Sequence, residues 1–373
     1  MISEKNSYLN EYEEMKKSIE KPNILLCGAT GVGKSSIINK IFGKELATTG
    51  DVQPVTRGIS KYESEDTDVV LYDSEGYEIG NENISKFKEE VIGIIENRER
   101  ESSDIKKHIH LIWYCISAAN KRITDLDIEV IKNLLDKKCK VAVLLTKIDC
   151  VDEDELNQLI SVLNENFKEL KYFTLSIDED VPEEYLKWNE LQEWSLKNLD
   201  MSLKAGFIRS IKCSYEEKQK HVIDEILPKY SLLASGIAIT PLPLSDSIAL
   251  TGLQGKMCLE ILVIWEMDKY EGVLQSIIGS TIVSQGAKFL AKTIASNLIK
   301  FIPGFGSIIG GAVNAIIASS FNAAMGYAIS TICYMFSQDK LNGKDTNILD
   351  LFTPEIISNL TGEYMKSKKN FEF

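Results

Sequence analysis

The sequence predicts an α/β domain, a doubly wound and mostly parallel sheet, followed by an all-α helical domain. Short apolar, β-branched runs at 24–27, 69–72, 109–116, 141–145 and 172–176 alternate with stretches of helical period, as βα units require. After Met201 strand signals vanish and long apolar helices take over. A chain of 373 residues is also long enough for two domains. The expected division is a leading helix over 1–21, the α/β domain over 22–200 and an apolar helical bundle over 201–373.

In chain order, residues 3–21 are charged and helix-compatible, with Leu9, Tyr12, Met15 and Ile19 at helical spacing. Pro22 ends that segment before the first strand. The apolar run 24–27 then enters Gly28-Ala29-Thr30-Gly31-Val32-Gly33-Lys34-Ser35-Ser36, and a helix is expected from Ser35 to Phe42. This is a G-x-x-x-x-G-K-S phosphate loop in the strand–loop–helix setting the motif needs. Its glycines let backbone N–H groups close around phosphate oxygens, and the helix adds its positive N-terminal end. Lys34 can reach the β- and γ-phosphates, and the Ser35 hydroxyl can ligate Mg²⁺. The chain is therefore expected to bind a nucleoside triphosphate.

The strand 69–72 ends in Asp73-Ser74-Glu75-Gly76, a D-x-x-G element. Asp73 is expected to hold Mg²⁺ through water, and the Gly76 N–H to meet the γ-phosphate. Upstream, Pro54-Val55-Thr56-Arg57 offers Thr56 as a second hydroxyl on the metal, in a segment that orders with the triphosphate. Lys34, Thr56 and Gly76 are the candidates for catalysis; Ser35, Thr56 and Asp73 are those for the metal. The strand 141–145 runs into Thr146-Lys147-Ile148-Asp149, a T-K-x-D element at the strand end where α/β sheets place ligands. The Asp149 carboxylate can accept from guanine N1–H and its exocyclic amine. Adenine lacks that donor pair and would leave the carboxylate unpaired, at a cost of about 2 kcal/mol or more. The Lys147 stem can lie along the base, and the strand 172–176 brings a backbone N–H near Ser176 toward guanine O6.

Together these motifs resemble the translation-factor-related GTPases, most closely the Era-like group, over residues 22–199. The resemblance implies a P-loop G domain that binds GTP or GDP with Mg²⁺ and hydrolyses GTP to GDP and phosphate. Two departures imply a low intrinsic rate. Tyr77 stands where Ras-like enzymes carry a water-orienting glutamine, and Gly31 stands where potassium-activated relatives carry asparagine. Septins and immunity-related GTPases have similar gaps and pair their G domains across the nucleotide. That likeness implies a homodimer through the G domains and a leading helix packed on the C-terminal half; Arg57 and Arg122 are candidates for a trans-acting cation, although a solvated surface arginine is the plainer reading of either.

The formal net charge of −13 argues against general nucleic-acid binding. Seven cysteines stand singly with no metal spacing, so they read as buried thiols in a reducing cytoplasm, and the three histidines form no cluster. Met1 opens directly into polar sequence, so no secretory signal is expected. In the C-terminal half, helices are expected at about 208–239, 245–269, 273–300 and 307–336, with a last one beginning at Thr353-Pro354-Glu355. Gly306, Gly310, Asn314, Ala318, Asn322, Gly326 and Ser330 recur every four residues as a small or weakly polar ridge that admits another helix closely. The turns 239–244 and 301–305 are apolar, and Lys288, Lys292 and Lys300 approach one of them. They resemble a helical domain that follows Era-like G domains in bacteria, in some members membrane-associated. Two readings stay open. In one the chain is a switch whose helical domain reads the nucleotide state. In the other, GTP drives self-association and the apolar turns engage a membrane surface.

Overall fold

The computed structural model describes residues 2–43, 51–56, 58–64, 67–77, 84–213, 215–239, 245–270, 272–278 and 311–368. The chain divides into two compact units, Ile19–Ser214 and Met1–Ser18 with Tyr215–Phe373. Helix α1 (Ile2–Lys17) belongs to the second unit.

In the Ile19–Ser214 unit the strands are β1 (Asn23–Gly28), β2 (Asp51–Thr56), β3 (Ile59–Glu63), β4 (Val70–Ser74), β5 (Leu111–Ser117), β6 (Val141–Thr146) and β7 (Lys171–Thr174). They form one seven-stranded sheet in the order β2-β3-β4-β1-β5-β6-β7. From β4 to β7 every pairing is parallel. β1, β5 and β6 are buried along their whole length, which is why each reads as a continuous apolar run rather than an alternating one. The strand order departs from β1 in both directions, so the loops after β1, β4 and β6 converge at a topological switch point, where open α/β sheets hold ligands.

The hairpin β2–β3 is an addition to the expected strands. It pairs antiparallel at the sheet edge, with an irregularity between Pro54 and Thr56. Pro54 and the charged Asp51, Lys61 and Glu63 hide it in the sequence, and an edge is where a proline in a strand is tolerated.

The helices are α2 (Lys34–Phe42), α3 (Ile84–Glu101), α4 (Asp125–Asp136), α5 (Glu153–Asn166), α6 (Trp188–Asn198) and α7 (Met201–Ser210). Capping boxes open α4, from Thr124 and Asp127, and α5, from Asp152 and Glu155, each worth about 1 kcal/mol. The α/β unit runs beyond residue 200 because α7 completes its core. Phe207 packs edge-on against Phe42 and Trp113 at 6.0 and 6.4 Å, and Arg209 pairs with Asp68 at 2.7 Å. The helix expected from residue 208 accordingly begins at 216, after the break that follows α7.

The second unit is helical among its described residues: α1, α8 (Glu216–His221), a π-helical turn Val222–Ile226, α9 (Leu227–Ile239), α10 (Ser245–Ile264), α11 (Val273–Ile277), α12 (Gly311–Leu341), α13 (Ile348–Leu351) and α14 (Pro354–Lys368). From α1, Tyr12 donates to Asp268 at 2.6 Å and Lys16 pairs with it at 2.5 Å. The described part of the small-residue ridge lies inside this unit. A Cβ on Gly326 would fall 2.3 Å from Leu227 Cδ2, so α9 and α12 meet at van der Waals distance there. Asn322 accepts from Gln254 at 3.1 Å, and Ser330 accepts from Trp265 Nε1 at 2.9 Å and donates to Gln219 at 2.7 Å. The polar atoms of Asn322 and Ser330 are thereby satisfied in the interior, as burial demands. The apolar turns 240–244 and 301–305, the lysines 288, 292 and 300, and Gly306 and Gly310 lie outside the described residues. No helix among the described residues is long and apolar enough to cross a membrane.

Candidate nucleotide site

β1 ends in the residues that form the phosphate loop. Gly28 adopts φ +137°, and a Cβ there would sit 2.1 Å from the Cys115 carbonyl oxygen on β5, so only glycine fits this crossing. Gly33, in the left-handed conformation, caps α2. Between them Ala29, Thr30, Gly31 and Val32 form the turn, and Ser35 and Ser36 lie in the first turn of α2. Lys34 is only 8% exposed and donates to the carbonyls of Gly28 and Ala29, both at 3.3 Å. Among the described residues no carboxylate lies within ion-pair distance of its ammonium. A buried cation whose described partners are neutral carbonyls, beside the amide end of a helix, has the chemistry to attract an anion.

Asp73, at the end of β4, stands across from it. Its Oδ1 is buried and has no hydrogen-bond partner among the described residues. Burial raises its pKa to about 6, against a smaller downward pull from Lys34. The folded-state value thus exceeds the ordinary carboxylate value. The stability tied to that proton is present in acid and is lost as the pH rises through about 6, leaving at neutral pH a buried carboxylate that Lys34 compensates only in part. A divalent cation fits this oxygen and would offset the burial of its charge. Thr56 closes β2 opposite Ile59, while Arg57 lies outside the described residues.

Gly76, at φ +72°, rests directly on the phosphate loop: a Cβ there would fall 2.7 Å from the Thr30 nitrogen and 2.9 Å from the Gly28 oxygen. Tyr77 is buried, and its phenol donates to Asp127 at 2.6 Å. The ring at this position is therefore committed to the protein interior. Arg122 is exposed.

The T-K-x-D element is tied to the phosphate loop. Thr146 Oγ1 donates to the Val32 carbonyl at 2.6 Å, and Lys147 Nζ donates to the Gly31 carbonyl at 2.7 Å. Asp149 is exposed; its Oδ1 accepts from Ser176 Oγ and its Oδ2 from Cys150 Sγ at 3.1 Å. The Ser176 bond, foremost, holds the carboxyl below the ordinary range, so it is ionised and acceptor-only at neutral pH. Ser176 thus appears through its hydroxyl, beside the backbone N–H expected of it. These groups border a cavity of about 480 Å³ that reaches from Gly33 and Ser36 to Asp149 and Ser176. Trp188 and Ile177 also line it. Neither was singled out in the sequence, because each stands beyond the last motif and enters the site only through the fold of the β7–α6 connection.

Residues 23–147, about a third of the chain, match the family model described as 50S ribosome-binding GTPase. Among curated proteins, GTPase Era of Alkaliphilus metalliredigens is 24% identical over 38% of this chain and 45% of its own length. Cell division control protein 10 of Saccharomyces cerevisiae is 25% identical over 48% of this chain and 62% of its own length. The chain spans about half the length of these curated relatives. A crystal structure of a probable GTP-binding protein engB is 19% identical over 47% of this chain and 97% of that one, with a TM-score of 0.34.

Proposed function

We propose that this chain, whose residues 23–147 form a P-loop GTPase domain, is a Mg²⁺-dependent enzyme that hydrolyses GTP slowly to GDP and phosphate and acts as a switch. The observation that carries this reading is the buried Lys34 ammonium, which lacks an anion among the described residues and faces the phosphate loop. Lys34 would bind the β- and γ-phosphates, and the loop amides would hold them in place. Asp73, Ser35 and Thr56 would hold Mg²⁺, which neutralises charge developing on the phosphates when it is bound. The Gly76 N–H would bind the γ-phosphate. Asp149 would select guanine by accepting two N–H bonds, with Ser176 fixing its carboxylate. In hydrolysis a water oxygen bonds to the γ-phosphorus while the bond to the bridging oxygen breaks. With the Tyr77 phenol turned to Asp127, that position supplies no polar group to orient the water, which supports a low rate.

The 74–77 segment supports the switch role. It lies on the phosphate loop, where a γ-phosphate would alter its contacts, and we assign to the helical unit the reading of that change. Single-turnover hydrolysis tests the enzyme. Wild-type protein with Mg²⁺ should release phosphate at a slow but measurable rate, chelator should stop it, and Asp73→Asn should lower it by about a hundredfold. Hydrolysis indifferent to chelator and to Asp73→Asn would refute the metal assignment.

A further inference from the structure

Tyr77 ends the described part of the segment that follows β4, and the structure holds it at two points. Its carbonyl accepts from the Thr30 N–H of the phosphate loop at 3.0 Å. Its phenol reaches the opposite way, donating to Asp127 Oδ1 at 2.6 Å, with the ring against Phe87 at a centroid distance of 5.0 Å. Gly76, whose N–H is assigned to the γ-phosphate, is the residue just before this double hold.

Asp127 is anchored by elements that have no part in that segment. Its Oδ2 accepts from the Thr124 backbone N–H at 2.9 Å and from Thr124 Oγ1 at 2.7 Å, both at the start of α4. Its Oδ1 accepts from Tyr114 on β5 at 2.9 Å. The capping box accounts for the Oδ2 bonds, whereas the Tyr77 bond joins α4 to a loop whose position bears on the nucleotide. The carboxylate is buried and satisfied on both oxygens, so it is a fixed point from which the loop hangs.

We propose that Asp127 and the Tyr77 hydroxyl are positioning residues: together they fix Gly76 over the phosphate loop in the place where it meets a γ-phosphate. This rests on the nucleotide reading above. GDP has no γ-phosphate, so the anchor acts on the triphosphate alone. Tyrosine at this position thus exchanges direct contact with water for control of the neighbouring amide.

The test is the dissociation constant for GDP and for a non-hydrolysable GTP analogue, both with Mg²⁺, in wild type and Tyr77→Phe. Phenylalanine keeps the ring against Phe87 and removes only the hydroxyl. Analogue affinity should fall by about tenfold while GDP affinity stays within about twofold. Asp127→Asn keeps an acceptor for the phenol but loses its charge and the Oδ2 acceptor that caps α4, and should give a smaller loss of the same selectivity, about threefold. That variant decides by the same criterion if Tyr77→Phe does not fold. Unchanged affinities, an equal loss for both nucleotides, or a gain for the triphosphate would overturn the proposal. Wild-type protein that binds neither nucleotide would instead overturn the nucleotide reading and is recognised before any variant is made.

Discussion

Lys34→Ala should abolish measurable GTP binding, a loss of about 3–5 kcal/mol or roughly two to four orders of magnitude in affinity. The size follows from the site. The ammonium is buried, neutral carbonyls are its only described partners, and a triphosphate brings the opposite charge into a place where water screens poorly. The same variant should change the stability of the nucleotide-free protein little, because removing a buried cation relieves its desolvation and offsets the lost pull on Asp73. Calorimetric titration with GTP, read beside the thermal midpoint of the unliganded protein, separates the two effects. Retained tight binding would show that the phosphates sit elsewhere.

Asp149→Asn should move the base preference from guanine to xanthine. The carboxylate, kept ionised by Ser176, offers only acceptors to the two guanine N–H groups. Asparagine turns one acceptor into a donor, which opposes the exocyclic amine of guanine and suits the carbonyl that xanthine carries there. An exchanged donor–acceptor pair that the bound base shields from water is worth about 3–4 kcal/mol, so GTP should weaken by roughly two to three orders of magnitude while xanthosine triphosphate gains. Competition between the two nucleotides on wild type and variant measures it. Unchanged guanine preference would remove Asp149 from base recognition.

The phosphate loop was legible because its chemistry is local: strand, glycines, lysine and helix follow one another within a few residues. The T-K-x-D element was legible in identity but not in attachment. Its Lys147 meets Gly31 across 116 positions, a contact that exists only once β1 and β6 share a sheet. The β2–β3 hairpin was hidden by Pro54 and its charges, since an edge strand need not carry an apolar face on both sides. Tyr77 drew attention as a missing glutamine, yet what it does instead depends on Asp127, fifty residues on, whose capping role gave no hint of a second partner. α7 was assigned to the wrong side of the boundary because its apolar residues resemble those of the helices after it, while Phe207 belongs to the core that holds Phe42 and Trp113.

The most direct measurement is a titration of the whole chain with GTP and with ATP, each in Mg²⁺ and in chelator. The arrangement of Lys34, Asp73 and Asp149 calls for tight, magnesium-strengthened binding of GTP and at least about a hundredfold weaker binding of ATP. Equal affinity for the two nucleotides, or binding indifferent to magnesium, would contradict it.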